Sequence, residues 1–309
     1  MTRVPLVLVV LCAACGSPAT SSDAGAAPND AGPSSRLYFV SRLERPTLPD
    51  PTAQTIDDWG LDLDGIVSDA TGSHGPCATQ TPDLTNPATG TRGIDDALAW
   101  AAAATIVTDP IVGAPTDAAS IADGSLRLAF RIDQNGDART LTWGTAVPSG
   151  CDASMPDTCR PMLDGDGRAS PGQSMVFTAS QADVRLAPAA SGRMHASAGD
   201  VTIDTSVSPQ PAGASALAFV VRGMQLEAVS DVGASIDGVV GGAVTLDDFM
   251  TLQAMANGHD TPTAEDMTVF DQFVRPYADM TPSASDPTQC TALSIGLDFT
   301  AVLVVEASE

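Results

Sequence analysis

Beyond residue 35 the chain alternates hydrophobic and polar positions in short runs. The clearest is 125–133 (SLRLAFRID), where Leu126, Leu128, Phe130 and Ile132 fall on one side and Arg127 and Arg131 on the other. A period of two describes a strand with one buried face. The segments 36–43, 139–147, 174–180, 183–188, 192–197, 200–207 and 216–230 repeat it, with turn residues between them. The final stretch, 293–307, alternates at its ends, while its VLVV segment reads as buried on both faces. Three segments follow a helical period instead. In 93–107 (GIDDALAWAAAATIV), Ile94, Leu98 and Ala101 or Ala102 recur at helical spacing through an alanine run of high helix propensity. Thr245, with Asp248 three residues on, caps a helix whose apolar face is Leu246, Phe249, Met250, Leu252 and Met255. Thr263 with Asp266 opens another, with Met267, Phe270, Phe273 and Val274 inward until Pro276 stops it.

Many short strands at this spacing predict an antiparallel, β-sandwich-like fold with a few helices. Helices this few and this clustered do not make repeated βαβ units. Residues 36–309 read as a single β-rich domain.

The N-terminus reads differently. Arg3 precedes an apolar run, Val4 to Leu11, broken by Pro5 and followed by Ala13 and Ala14. This is the layout of an export signal, too short to span a bilayer. The CAAC sequence ending at Cys15 resembles a bacterial lipobox, although Cys12 stands where an aliphatic residue is usual and Leu11 lies one place further back. The resemblance implies a signal over 1–14 and a lipid on Cys15. Gly16 after the cysteine implies an outer-membrane or cell-surface destination. Residues 15–35, rich in Ser, Ala, Pro, Gly and Asp, read as a flexible tether.

Charge narrows the partners. Acidic residues outnumber basic ones 38 to 14, for a net charge of -24. No dense cationic face can form, which excludes nucleic acid and favours divalent cations. Every basic residue is Arg, so chemistry that needs a lysine (a P-loop, a Schiff base) is excluded. With Cys12 in the signal and Cys15 lipidated, Cys77, Cys151, Cys159 and Cys290 remain. An even number in an oxidising compartment reads as two disulfides. Of three pairings, the short loop CDASMPDTC favours Cys151–Cys159, which leaves Cys77–Cys290. A zinc cluster lacks a CxxC in the exported chain, and His74, His195 and His259 are far apart.

The motifs LDLDG (61–65), GIDDALA (93–99), VVGGAVTLDDF (239–249) and SIGLDFTAV (294–302) together resemble an uncharacterised family of bacterial surface lipoproteins. The resemblance implies a location and a single-domain layout. It supplies no catalytic residues.

Candidate chemistry rests on oxygen ligands. Asp133, Asn135 and Asp137 have the D-x-N-x-D spacing of calcium loops, but Ala138 stands where an EF-hand has Gly and Gly144 where it has Glu. Asp62 and Asp64, with Gly65 and Asp69, form a second candidate calcium site, and Asp164 with Asp166 a third. The same residue types also make tight turns between strands, and NGD at 135–137 fits a hairpin. Carboxylate pairs for glycoside hydrolysis are uninformative in so acidic a chain: Glu44, Glu227 and Glu265 have no distinctive neighbours. No G-x-S-x-G or H-E-x-x-H motif occurs, and His74 and His259 read as solvated loop residues. Trp100 reads as core, while Trp59 and Trp143 are candidates to face a ligand. The expectation is a lipid-anchored, non-enzymatic surface protein, calcium-stabilised, with a structural role or one in binding an unidentified surface or extracellular ligand. The alternative is a secreted hydrolase acting on polysaccharide.

Overall fold

The alternating strands curl until the first meets the last. The computed structural model describes residues 34–44, 48, 54–56, 60–68, 77, 81–104, 121–124, 126–152, 154–181, 183–188, 193–204, 218–229, 233–256, 259 and 261–307. The signal and lipidation readings over 1–14 and at Cys15, most of the tether, Trp59, Asp69 and His74 lie outside these residues. Gly32–Glu309 forms one unit. Its strands are β1 (Ser34–Glu44), β2 (Leu84–Asn86), β3 (Thr91–Ile94), β4 (Leu128–Asn135), β5 (Ala138–Pro148), β6 (Ser174–Ala179), β7 (Val184–Pro188), β8 (Met194–Asp204), β9 (Ala218–Ala228), β10 (Ser235–Thr245), β11 (Met280–Pro282) and β12 (Cys290–Glu306). Three helices are described: α1 (Ala97–Ala104), α2 (Leu246–Ala256) and α3 (Ala264–Phe273).

The mainly β, antiparallel character holds, but the architecture is a closed eight-stranded barrel and not a sandwich. Around the barrel the order is β1-β4-β5-β7-β8-β9-β10-β12, and β12 pairs back to β1 from Leu37↔Val304 to Glu44↔Asp298. Alternation could not distinguish the two folds, because both bury one face of each strand. Closure depends on curvature and register. Bulges between Val40 and Arg42 and between Ser197 and Gly199 bend strands locally. At Gly238 a Cβ would lie 2.7 Å from the Phe299 ring, so glycine lets β10 approach β12.

The barrel is filled. Tyr38, Phe130 and Trp143 share one row across β1, β4 and β5. Phe130 stacks on Tyr38 at 5.6 Å and meets Trp143 and Phe299 edge-on at 5.3 and 5.7 Å. Trp143 is 1% exposed, which corrects its reading as a ligand-facing residue. Leu226, Ile236, Val240 and Ala301 continue the same apolar interior. Between these inward residues stand Arg131, Arg185, Arg222, Glu227, Asp237 and Asp298. Leu37 and Phe39, which flank Tyr38 and face outward, are apolar and buried, while the interior is apolar where a lipid-spanning barrel of the channel type has a polar lumen. No described helix is long and apolar enough to cross a membrane.

The remaining described segments pack around this barrel. Helices α2 and α3 meet through Phe249 and Phe270, with ring centroids 6.2 Å apart. Thr263 and Asp266 form the reciprocal cap that the sequence predicts for α3. The same carboxylate, 3% exposed, holds His259 Nδ1 at 2.9 Å, so this histidine is anchored through its ring. Disulfides join Cys77 to Cys290 and Cys151 to Cys159. The first closes 213 residues and restricts the unfolded chain by about 5 kcal/mol in the loop-entropy account.

Candidate metal centre

The described residues between β1 and β4, a strap that includes β2, β3 and α1, lie outside the barrel. GIDDALA turns this strap onto the wall of β12. Gly93 has φ +74°, a left-handed conformation that glycine adopts without strain. Ile94 then enters a small apolar cluster with Ile56 and Leu84. Asp96 Oδ1 accepts the Ala99 N–H at 2.9 Å and caps α1. The helix therefore starts at Ala97, later than the periodicity alone suggests. Trp100, half-buried, donates from Nε1 to the Pro82 carbonyl at 3.0 Å.

This leaves Asp95 pointing back toward LDLDG. Asp95 is 4% exposed and its Oδ2 accepts the N–H groups of Leu63 at 2.6 Å and Asp64 at 3.2 Å. Its own N–H donates to the Leu61 carbonyl at 2.9 Å. Asp62 Oδ1 accepts from Gly65 N at 2.7 Å, and Asp64 Oδ1 from Ile66 N at 2.7 Å. These bonds shape the acidic loop so that one carboxylate oxygen each from Asp62, Asp64 and Asp95 lie within 4.8 Å of one another. Carboxylate oxygens grouped this closely could hold one metal ion. Nearby, Ser68 N–H donates to Asp83, and the buried Ser68 Oγ has no hydrogen-bond partner.

The electrostatics are one-sided. The charges that act on Asp95 are those of Asp64, Asp279 and Asp83, all negative. Burial first, and these neighbours second, push Asp95 up to about 9. Burial likewise raises Asp83 to about 6 and Asp279 to about 7, and moves Asp64 upward. A buried anion needs a proton or a cation.

A sign follows for stability. The folded chain holds protons on Asp83, Asp279 and Asp95 at pH values where the unfolded chain, with carboxyls near 4, has released them. Without divalent cation, stability is therefore greatest near pH 4–5 and falls as pH rises through 6 to 9. Urea unfolding with chelator at pH 5 and at pH 8.5 checks this. A stability that rises over that interval contradicts the assignment of buried, uncompensated carboxylates.

Gly93 also sets the spacing of the cluster. A Cβ there would lie 3.3 Å from Asp62 Oδ2 and 3.1 Å from Val67 Cγ2. Gly93→Ala is expected to displace the acidic loop and cost about 1–2 kcal/mol, mainly from the positive φ. The urea midpoint measures this.

The other candidates lie elsewhere. Asp133, Asn135 and Asp137 form the β4–β5 hairpin, with Asn135 opposite Ala138 and Gly136 at φ +60°. Asp133 pairs with Arg131 at 3.1 Å near the end of β4. Ser34, Ser35, Asp133 and Asn135 help to line a shallow cavity of about 400 Å³ at that end. Asp164 Oδ1 accepts from Asp166 N and Arg168 N, both at 2.9 Å, which is a turn closed on itself. The structure thus joins Asp62 and Asp64 to a third acid, Asp95, which sequence reasoning left unassigned within GIDDALA. Asp83, in TPDL, carries no signal that could have found it.

Compared with known proteins, the chain matches no family model, no curated protein and no solved structure. The functional argument rests on the residues themselves.

Proposed function

We propose that this chain is an exported surface β-barrel, lipid-anchored through Cys15, in which calcium bound by Asp62, Asp64 and Asp95 stabilises the outer strap. Its role is structural or ligand-binding and not catalytic. The observation that carries the cation site is the approach of three carboxylate oxygens to within 4.8 Å, one of them on a buried acid whose main charged neighbours are themselves acids. Hard oxygen donors of this kind suit calcium, and the Ser68 hydroxyl adds a neutral oxygen to the same loop. The export reading is supported by the residues before Cys15 and by paired cysteines, which suit an oxidising compartment. The resemblance of LDLDG, GIDDALA, VVGGAVTLDDF and SIGLDFTAV to bacterial surface lipoproteins points the same way. A polysaccharide hydrolase needs its carboxylates across a cleft, and the shallow cavity at the β4–β5 hairpin offers Asp133, already paired with Arg131.

Two experiments test the proposal. Calcium titrated into the chelator-treated chain at pH 7.5 should raise the melting temperature by several degrees, saturably and reversibly. No shift overturns the cation reading. Expressed in a bacterium that processes lipoproteins, the protein should partition into detergent, and the Cys15→Ser variant should not. Equal partitioning of the two overturns the anchor.

A further inference from the structure

We infer that the barrel rests on a zwitterionic phospholipid surface through Met162, Leu163 and Val305, an apolar patch beside the point where the chain from Cys15 enters β1. The inference rests on the anchor reading above and adds the orientation that the anchor gives the barrel. The patch is built on Gln173. Its buried side chain accepts the Met162 N–H at 3.0 Å and donates to the Met162 carbonyl at 3.3 Å. Its main-chain carbonyl accepts the Val305 N–H at 2.9 Å, and Ser174 pairs with Val305 in parallel. One glutamine thus joins the connection before β6 to the end of β12. Met162 is 62% exposed, and Leu163 and Val305 are exposed with it. Together with Met155, on the same connection between β5 and β6, they are four of the seven large hydrophobic side chains exposed among the described residues. Single exposed hydrophobics are ordinary, whereas a group of them in one place marks an interaction surface.

The occupant follows from where the chain comes in. β1 pairs with β12 as far as Leu37↔Val304, a register that brings Arg36 level with Val305 and Ser35 level with Glu306. Arg131, opposite Leu37 on β4, holds Glu306 at 3.5 Å on the same corner. Eighteen residues, 16–33, separate Cys15 from Ser34. Fully extended they span at most ~60 Å, so a lipid on Cys15 keeps this corner within that distance of the bilayer. Confinement of this kind gives an effective concentration on the order of millimolar. A patch of a few side chains, too weak to hold an unanchored chain on lipid, then suffices. Charge selects the lipid. Residues 149–173 carry Arg160 and Arg168 against Asp152, Asp157, Asp164 and Asp166, so an anionic surface repels this connection and a zwitterionic one does not.

The far part of β12 carries the acidic strap. Ala97 N–H donates to Ser294 Oγ at 2.8 Å, two residues after the Asp95 of the cation cluster. From Ser294 to Val305 β12 runs eleven residues, about 36 Å of strand at ~3.3 Å each. A barrel that rests on Val305 therefore holds the strap and its acids away from the lipid.

The test is methionine oxidation by dilute hydrogen peroxide, mapped by mass spectrometry on the full chain mixed with phosphatidylcholine vesicles. In the lipidated parent, Met162 should form its sulfoxide at least about threefold more slowly than in the Cys15→Ser chain. Met267, exposed on α3, should oxidise at one rate in both. The Leu163→Asp/Val305→Asp chain should stay on the vesicles through its lipid and lose the protection of Met162. Equal Met162 rates in the parent and Cys15→Ser chains, with the parent on the vesicles, overturn the contact and leave the anchor standing. A parent that does not bind the vesicles overturns both. Protection that survives the double substitution, or that Met267 shares, overturns this face as the contact. Protection of the Cys15→Ser chain that grows with protein concentration marks a second copy on the patch and overturns the lipid. Should the double variant not fold, Val305→Asp alone, at an exposed side chain, decides in its place by the same loss of protection.

Discussion

The Asp95→Asn chain should melt above the parent at pH 8 in chelator, by about 5 °C, and calcium should then raise neither its midpoint nor its affinity signal. The amide oxygen can still accept from Leu63 and Asp64, so the loop keeps its shape. What changes is charge. In the parent, folding at pH 8 either buries an anion among anions or takes up a proton that the unfolded carboxyl lacks. One unit of pKa shift corresponds to ~1.4 kcal/mol, and shared protons and local relaxation reduce the full figure, so relief on the order of 2 kcal/mol is expected. At ~2–3 °C per kcal/mol for a domain of this size, that is about 5 °C. A residue that only braced the loop would give the opposite sign, a lower midpoint. Differential scanning calorimetry of the two chains, each with and without calcium, separates the cases.

Phe130→Ala should lower unfolding free energy by about 4 kcal/mol, the larger effect in absolute terms. Phe130 is 1% exposed and touches Tyr38, Trp143 and Phe299 at once, so its removal leaves a void lined by three aromatic rings. Rings at the centre of a closed barrel cannot collapse inward without moving the hydrogen-bonded wall, so the cavity persists. The urea midpoint should fall with an unchanged slope, and the near-UV signal of Trp143 should weaken. Calcium should still raise the midpoint, because the acidic cluster lies outside the barrel. A loss below about 1 kcal/mol would contradict a filled interior.

Strand positions were legible in the sequence because burial of one face writes itself as alternation, as in Leu128, Phe130 and Ile132. Barrel closure was not, because it depends on the register of β1 against β12, which no local pattern encodes. The short hairpin of β2 and β3 also escaped, since three and four residues are too few to show a period. At the site, Asp62 and Asp64 were legible from their spacing around Gly65. The Asp133–Asp137 run looked equally good, yet a two-residue hairpin uses the same Asn, Gly and Asp. Spacing reports which residues a loop contains, and burial decides which of them meet. In GIDDALA the two acids divide the work: Asp96 caps a helix while Asp95 turns toward the loop. That division follows from Gly93 and from where the helix starts, a three-dimensional fact.

The most direct measurement is an anomalous difference map from crystals of the metal-free, oxidised protein soaked in terbium, a calcium substitute. The account requires a peak within bonding distance of Asp62, Asp64 and Asp95, at roughly 2.3–2.6 Å from their oxygens. A map with no peak there, or with its peak at Asp133 and Asp137, contradicts it.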